Sequence, residues 1–333
     1  MDNLRQILSD YGDYTLSYMI LPSDPHSRLF AGFLLTSLLV AFALYRRRAK
    51  GSGFLKFLFP KSVWSHPSAW MDVRYFFFHG LIAKFFLRSL GASMFLAGMY
   101  FGVGGGEHMH KLTAVPELGP LGLGIATVVA SICILLLSDF LGFYLHYLQH
   151  KIPLLWQFHK VHHSGEVMHP LSNFREHPID NLVYGFFINV CVGAMFGVGI
   201  GLLGYQPTTL EIAGVGLFGL LFNSAAYSLR HSHIWLKWPG VWSKVFGSPA
   251  HHQVHHSRHP DHLDKNFGFM FPIWDILFGT YEMPETNCDV EFGIVEDSSD
   301  LNSCVNLYLI PFRDAYRLYR PKDAAAAKVQ KTV

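Results

Sequence analysis

Five stretches of the chain carry no Lys, Arg, Asp or Glu and are apolar nearly throughout: residues 29–45, 89–106, 118–138, 181–210 and 212–229. An ionised side chain at mid-bilayer costs about 3 kcal/mol, so charge-free runs of ~17 residues or more predict membrane helices. The second window opens behind Lys84 and Arg88 and closes on the glycine-rich residues 102–106, a pattern that suits a tilted or re-entrant helix as well as a straight span. The last two windows nearly touch. Tyr205, Gln206 and Pro207 are the turn signal between them, which predicts a tight helical hairpin. Residues 1–28 include acids and lack the basic start and small-residue exit of a cleavable signal peptide.

Basic flanks set the expected orientation. Arg46, Arg47, Arg48 and Lys50 follow the first window, so that end should face the cytoplasm. Alternate crossings then put the segments after the first, third and fifth windows in one compartment. The expected fold is an all-α polytopic membrane protein. Four to five membrane helices would carry a cytoplasmic helical cap, built from residues 150–180 and 231–281. The expected divisions are an anchoring region at 1–117, a catalytic domain at 118–285 and a cytoplasmic tail at 286–333.

Composition agrees with that class. Half of the 333 residues are apolar and 15% are charged, against about 25% in soluble domains. A net charge of +2, with no basic stripe, excludes a nucleic-acid binder. Cys133 and Cys191 sit in apolar runs, and Cys288 and Cys304 have no CxxC spacing, so neither a disulfide framework nor a thiolate metal site is indicated.

Histidine is the unusual component, at 20 residues, and 15 of these lie between His146 and His262. His146 and His150 are spaced i and i+4, one turn apart on a helix face. His159, His162 and His163 form an HxxHH box whose spacing places all three on one helical stripe, and His252, His255 and His256 repeat it. Chance would give one such box about 0.07 times in a chain of this histidine content, so the clusters read as metal ligands. The bland alternative is a histidine-rich surface or storage tract. His26, His66 and His79 are isolated and read as interfacial, and His108 and His110 fall on the opposite membrane face. His169, His233, His251, His259 and His262 lie off the stripes, and His177 reads equally as a ligand, a ligand's support or a structural residue.

All-imidazole donors suit zinc, copper, iron or nickel, and eight clustered histidines are too many for one ion. Hydrolytic zinc chemistry lacks its usual base here: there is no HExxH, and no glutamate lies inside a box.

The three boxes, with their settings at 156–164 (WQFHKVHHS) and 248–257 (SPAHHQVHHS), followed by DKNFG at 264–268 and WDILFGT at 274–280, resemble the sterol desaturase/fatty acid hydroxylase superfamily of membrane di-iron enzymes. The resemblance covers about residues 138–282. It implies an O2-dependent lipid hydroxylase or desaturase with two iron ions (Fe2+/Fe3+) and O2 as co-substrate. The implied metal ligands are His146, His150, His159, His162, His163, His252, His255 and His256, joined by His231, which fits the place where the family has a histidine before the last box. Tyr227 stands where some distant relatives carry a further ligand. The resemblance also implies a membrane lipid as substrate, such as a sterol, fatty acyl chain or sphingolipid. With no attached cytochrome b5 module in the sequence, electrons are expected from a separate donor: cytochrome b5, a ferredoxin and its reductase, or a small reductant. Among the acids that could orient the ligands are Glu166, Glu176, Asp180 and Asp261, with Asp139 and Asp264 placed nearest the boxes. The expected location is the bacterial inner membrane or the endoplasmic reticulum. A membrane metal or haem protein for transport or electron transfer is the alternative, disfavoured because the boxes lie beyond the windows and the windows are almost without polar groups.

Overall fold

The computed structural model describes residues 28–48, 51, 53–113, 119–203, 219–284 and 290–320. Its long elements are all helices: α1 (Ala31–Arg48), α2 (Pro67–Thr113), α3 (Pro120–Lys151), α4 (Pro153–His163), α5 (Pro178–Leu203), α6 (Pro249–His255), α7 (Ile273–Phe278) and α8 (Cys304–Arg317). Among the described residues there is no strand, only an isolated bridge between Ser257 and Phe292.

Two of these helices, Pro120–Lys151 and Pro178–Leu202, are long and apolar enough to cross a membrane. At 32 residues α3 is about 48 Å long, well beyond the ~30 Å of a bilayer's hydrocarbon. Its first half exposes Leu121, Ile125, Val128, Val129 and Ile132, as a lipid-facing helix should. Its last turns bury Phe143, Leu145 and Gln149 among the other elements. All but the first two residues of the window at 29–45 fall within α1. The hairpin turn at Tyr205 to Pro207, and the first seven residues of the window at 212–229, lie outside the described residues.

The window at 89–106 is neither re-entrant nor broken. It is the second half of α2, a continuous helix of 47 residues. Gly98, Gly102 and Gly106 recur every four residues, as do Gly193, Gly197 and Gly201 on α5, so each helix presents a glycine ridge. The backbones meet there. A Cβ on Gly197 would run into the carbonyl of Met99, and one on Gly102 into that of Ala194. The glycine run that resembles a helix breaker in sequence is therefore a packing surface.

Pro153 ends α3 by excluding helical backbone at Ile152, then starts α4 as its first residue. The chain thereby turns back so that α4 lies beside the last turns of α3. The end of α1 packs Ala41 and Leu44 against Ala226, Leu229, Ile234 and Leu236, and Arg48 donates to the Trp235 carbonyl at 3.0 Å. The basic end of α1, the end of α3 and the His231 segment thus share one end of the molecule. Part of the stretch expected as a tail is built in as well. On α8, Leu307 is fully buried with Met71, Tyr75 and Val161, and Asp314 binds the buried Lys160 at 2.8 Å. Residues 321–333 lie outside the described part.

Candidate metal centre

The nine histidines singled out in sequence converge into two neighbouring groups. His146, His150, His159, His163 and His255 form one, and His162, His231, His252 and His256 the other, with the potential donor atoms of each group within 4.8 Å of one another. The groups adjoin, since the rings of His163 and His256 stack at 4.3 Å between centroids.

Each HxxHH box divides between the groups instead of facing one way. Successive helical residues turn by about 100°, so His162 and His163 diverge on either side of His159. Box two gives His159 and His163 to the larger group and His162 to the smaller; box three gives His255 to the larger and His252 with His256 to the smaller. The single stripe expected from the spacing is corrected accordingly.

The outward nitrogens are tied down. His159 Nδ1 pairs with Asp180 Oδ2 at 2.8 Å, His146 Nδ1 with the Phe267 carbonyl at 3.0 Å, and His255 Nδ1 with the Lys265 carbonyl at 2.8 Å. His162 Nδ1 faces the Arg175 carbonyl at 3.3 Å and His231 Nδ1 the Ser172 hydroxyl at 3.0 Å. His150 Nδ1 lies 3.4 Å from Asp264. Such partners fix the tautomer and turn Nε2 inward.

Inward, the nitrogens meet one another. His231 and His252 approach at 2.8 Å between Nε2 atoms, His252 and His256 at 3.1 Å, and His150 and His163 at 3.1 Å. Two nitrogens bound at right angles to one ion, each about 2.1 Å away, sit about 3 Å apart. The Nε2 atoms of His159 and His255 are buried with no hydrogen-bond partner, which costs free energy unless something accepts their lone pairs. Burial holds the imidazoles neutral: it lowers His162 to about 4 and His255 to about 3, and it puts His163, His231, His252 and His256 well below the ordinary histidine value. Neutral imidazole is the ligating form, so the donor set fits two ions.

The other sequence candidates are placed elsewhere. Asp139 touches no box. It accepts the Met270 and Phe271 amides and the Trp274 indole at 2.8, 3.1 and 2.9 Å, clamping the loop that supplies the Phe267 carbonyl. His177 binds the Tyr308 carbonyl and His233 the Phe57 carbonyl, both outside the groups. His79 is buried against the Tyr308 hydroxyl at 2.8 Å, and the buried His169 is held by Asp72 at 3.0 Å. Tyr227 accepts from Asn173 at 3.1 Å. His26 lies outside the described residues.

Two supports, Gln253 and Asp275, went unread in the sequence, as did the backbone turn at Asp264 and Asn266. Gln253 donates to the carbonyls of Leu229, Ser232 and Ile234 at 3.0, 2.9 and 3.1 Å, seating the His231 segment on α6. Asp275 takes the Phe267 and Gly268 amides at 2.8 and 2.7 Å. Asp264 and Asn266 hold φ of 58° and 55°, a left-handed backbone that Asp and Asn tolerate best, and so shape the turn between α6 and α7. The motifs DKNFG and WDILFGT contain these residues, but spacing alone assigns them no partner.

A cavity of about 330 Å³ reaches the centre, where His146, His159, His162, His231 and His252 line it. Its remaining wall includes Gly142, Glu176, Tyr184, Tyr227, Arg230 and Phe269.

The fatty acid hydroxylase family model matches residues 131–280. The chain is 28% identical over 168 residues to an alkylglycerol monooxygenase of Caenorhabditis elegans, covering 50% of this chain and 30% of that protein. It is 30% identical over 161 residues to the ornithine lipid hydroxylase OlsE of Rhizobium tropici, covering 48% and 44%. It is 27% identical over 171 residues to the Delta(7)-sterol 5(6)-desaturase erg3C of Aspergillus fumigatus, covering 49% and 51%. The matched stretch thus spans about half or less of these relatives' own length. No solved structure matches the chain. The family match and the relatives fall on the part of the sequence that brings the histidines together, and over that part the chain is similar to the sterol desaturase/fatty acid hydroxylase superfamily.

Proposed function

We propose that this protein is an O2-dependent lipid hydroxylase or desaturase that holds two iron ions with its nine clustered histidines. The observation that carries the reading is the pair of adjoining all-nitrogen donor sets, five and four histidines, with their Nδ1 atoms largely anchored and a cavity reaching both sets. The relatives' names, a monooxygenase, a hydroxylase and a desaturase of lipids, support it. Iron in these positions would supply the oxygen activation and electron storage that an unactivated C–H bond demands.

The chain's own part is positioning. Asp180 and the carbonyls of Arg175, Lys265 and Phe267 hold the imidazoles in register, while burial keeps His146, His162 and His255 neutral. Haem is a poor fit. Rings from neighbouring elements already stand 4.3 to 4.8 Å apart, leaving no slot for a porphyrin plane between them. The cap faces the cytoplasm in this reading, in a multi-pass protein of the bacterial inner membrane or endoplasmic reticulum, and a separate donor supplies electrons. The test is purified protein assayed for iron per chain and for O2-dependent oxidation, with mass spectrometry of added lipids. Two irons and a product shifted by one oxygen or two hydrogens are expected. Two tightly held zinc ions with no oxidation of any lipid would overturn the proposal.

A further inference from the structure

Arg230 is 6% exposed and lines the cavity beside His231, yet among the described residues no carboxylate lies within salt-bridge reach of its guanidinium. Aromatic rings and one carbonyl fix its position, the rings of Phe222 and Tyr227 lying 5.1 and 5.9 Å from it by their centroids. One Nη2 hydrogen bond goes to the Phe269 carbonyl, and the guanidinium lies 4.0 Å from the centroid of the Phe269 ring. The nearby acids are committed. Asp139 serves the amides of Met270 and Phe271 and the Trp274 indole, Glu176 pairs with Arg28 at 2.8 Å, and Asp180 is shared by His159 and Gln149. An arginine stays charged in a protein, and a buried charge is ordinarily paired. The cavity wall therefore keeps one cation whose Nε and Nη1 have no partner among the described residues.

We infer that Arg230 is the anion-recognising group of this cavity, and that the substrate is a lipid whose oxidised carbon lies within a few bonds of a carboxylate or phosphate. The inference rests on the oxygenase reading for the oxidised carbon, and on the site's geometry for the anion. The separation is short because Arg230 and five of the nine histidines border the same 330 Å³. A planar guanidinium matches a carboxylate or phosphate with paired N–H donors. Tyr227 and Asn173, already hydrogen-bonded to each other on this wall, offer further polar contacts near the anion. A lipid held in this way presents its first few carbons to the histidines and leaves the remainder of its tail outside so small a cavity.

The test uses the full-length, metal-loaded protein in uncharged detergent, titrated calorimetrically with octadecanoic acid, octadecyl phosphate and octadecanol. One of the two anions is expected to bind at least tenfold more tightly than the alcohol, and which one does so separates a carboxylate from a phosphate. Arg230→Gln should reduce that anion to the alcohol's affinity with metal per chain unchanged, and Arg230→Lys should keep part of the preference. Equal binding of all three by the unmodified protein would overturn the inference even if no variant folds, as would a preference that survives in Arg230→Gln. Oxidation of octadecanol with no preference for either anion would leave the oxygenase reading standing and remove this one. Selective anion binding with no oxidation of any lipid would do the reverse.

Discussion

Asp72 and Arg175 form a buried ion pair, Oδ1 to Nε at 2.5 Å, and the carboxylate lies outside both histidine groups. Its influence runs through the backbone. The Arg175 carbonyl receives His162 Nδ1, while Asp72 Oδ2 holds His169, whose carbonyl accepts the Ser172 hydroxyl that faces His231. Two histidines of the smaller group are thus oriented from one carboxylate on α2. Asp72→Asn leaves Arg175 buried and unpaired, a change that costs about 3 to 5 kcal/mol in buried pairs. The expected outcome is a large fall in thermal midpoint in detergent, together with reduced metal content. An unchanged midpoint would show that the pair contributes nothing.

Single alanine changes should separate the two groups. His255→Ala removes a nitrogen from the five-membered set and His252→Ala one from the four-membered set, and each should abolish lipid oxidation. The smaller set has less to spare. Metal loss should therefore be greater for His252→Ala than for His255→Ala when iron is counted per chain. His108→Ala, at an exposed position distant in sequence from the boxes, should retain both metal and activity.

Asp180→Asn tests support rather than ligation. Asp180 fixes His159 at 2.8 Å and also takes the Gln149 amide at 2.5 Å. Removing such a partner typically costs 10 to 100-fold in metal affinity or activity, so the variant should fall between the unmodified protein and His159→Ala in an iron titration.

Acid should weaken the metal-free fold. His162, His251 and His255 titrate near 4, 3 and 3 when folded, against about 6.5 in the unfolded chain, because burial disfavours their charged forms. Below pH 6.5 the unfolded state binds protons that the folded state refuses, so stability is lost as the pH drops from 6.5 toward 4. Thermal midpoints of metal-free protein should decline between pH 7.5 and pH 5. The decline should be steeper with metal present, where protons also displace the ions. A flat profile would contradict the neutral-imidazole assignment.

The glycine ridge gives a paired test. Gly197 faces the Met99 carbonyl, whereas nothing lies within 4 Å of a Cβ at Gly199. Gly197→Ala should therefore lower the thermal midpoint by forcing α2 and α5 apart. Gly199→Ala, which gains about 1 kcal/mol of helix propensity in a free position, should hold or raise it.

Spacing made the boxes legible, because i, i+3 and i+4 histidines meet on any helix. His231 has only His233 near it, at a spacing that none of the boxes has, and was found only through the family resemblance. The division of each box between two groups could not be read, since it depends on where α4 and α6 stand relative to each other. Asp72, Gln253 and Asp275 were missed for related reasons: Gln253 and Asp275 bind backbone groups, which carry no sequence signal, and Asp72 binds Arg175 and His169 about a hundred residues away. Charge-free runs marked the two helices apolar enough to cross a membrane, but charge also cut α2 short. Lys84 and Arg88 closed the window at 89 although the helix begins at Pro67, because charged residues end a lipid-facing run without ending a helix.

On the proposed function, α3, unbroken from Pro120 to Lys151, works as a ruler between lipid and metal centre. Each residue inserted between the apolar half and His146 would lift both histidines of the first box by about 1.5 Å and swing them by about 100°. The depth at which a lipid carbon meets the centre is therefore counted out in helical residues. Relatives with the same boxes but another interval along this helix would act at a different level of the bilayer.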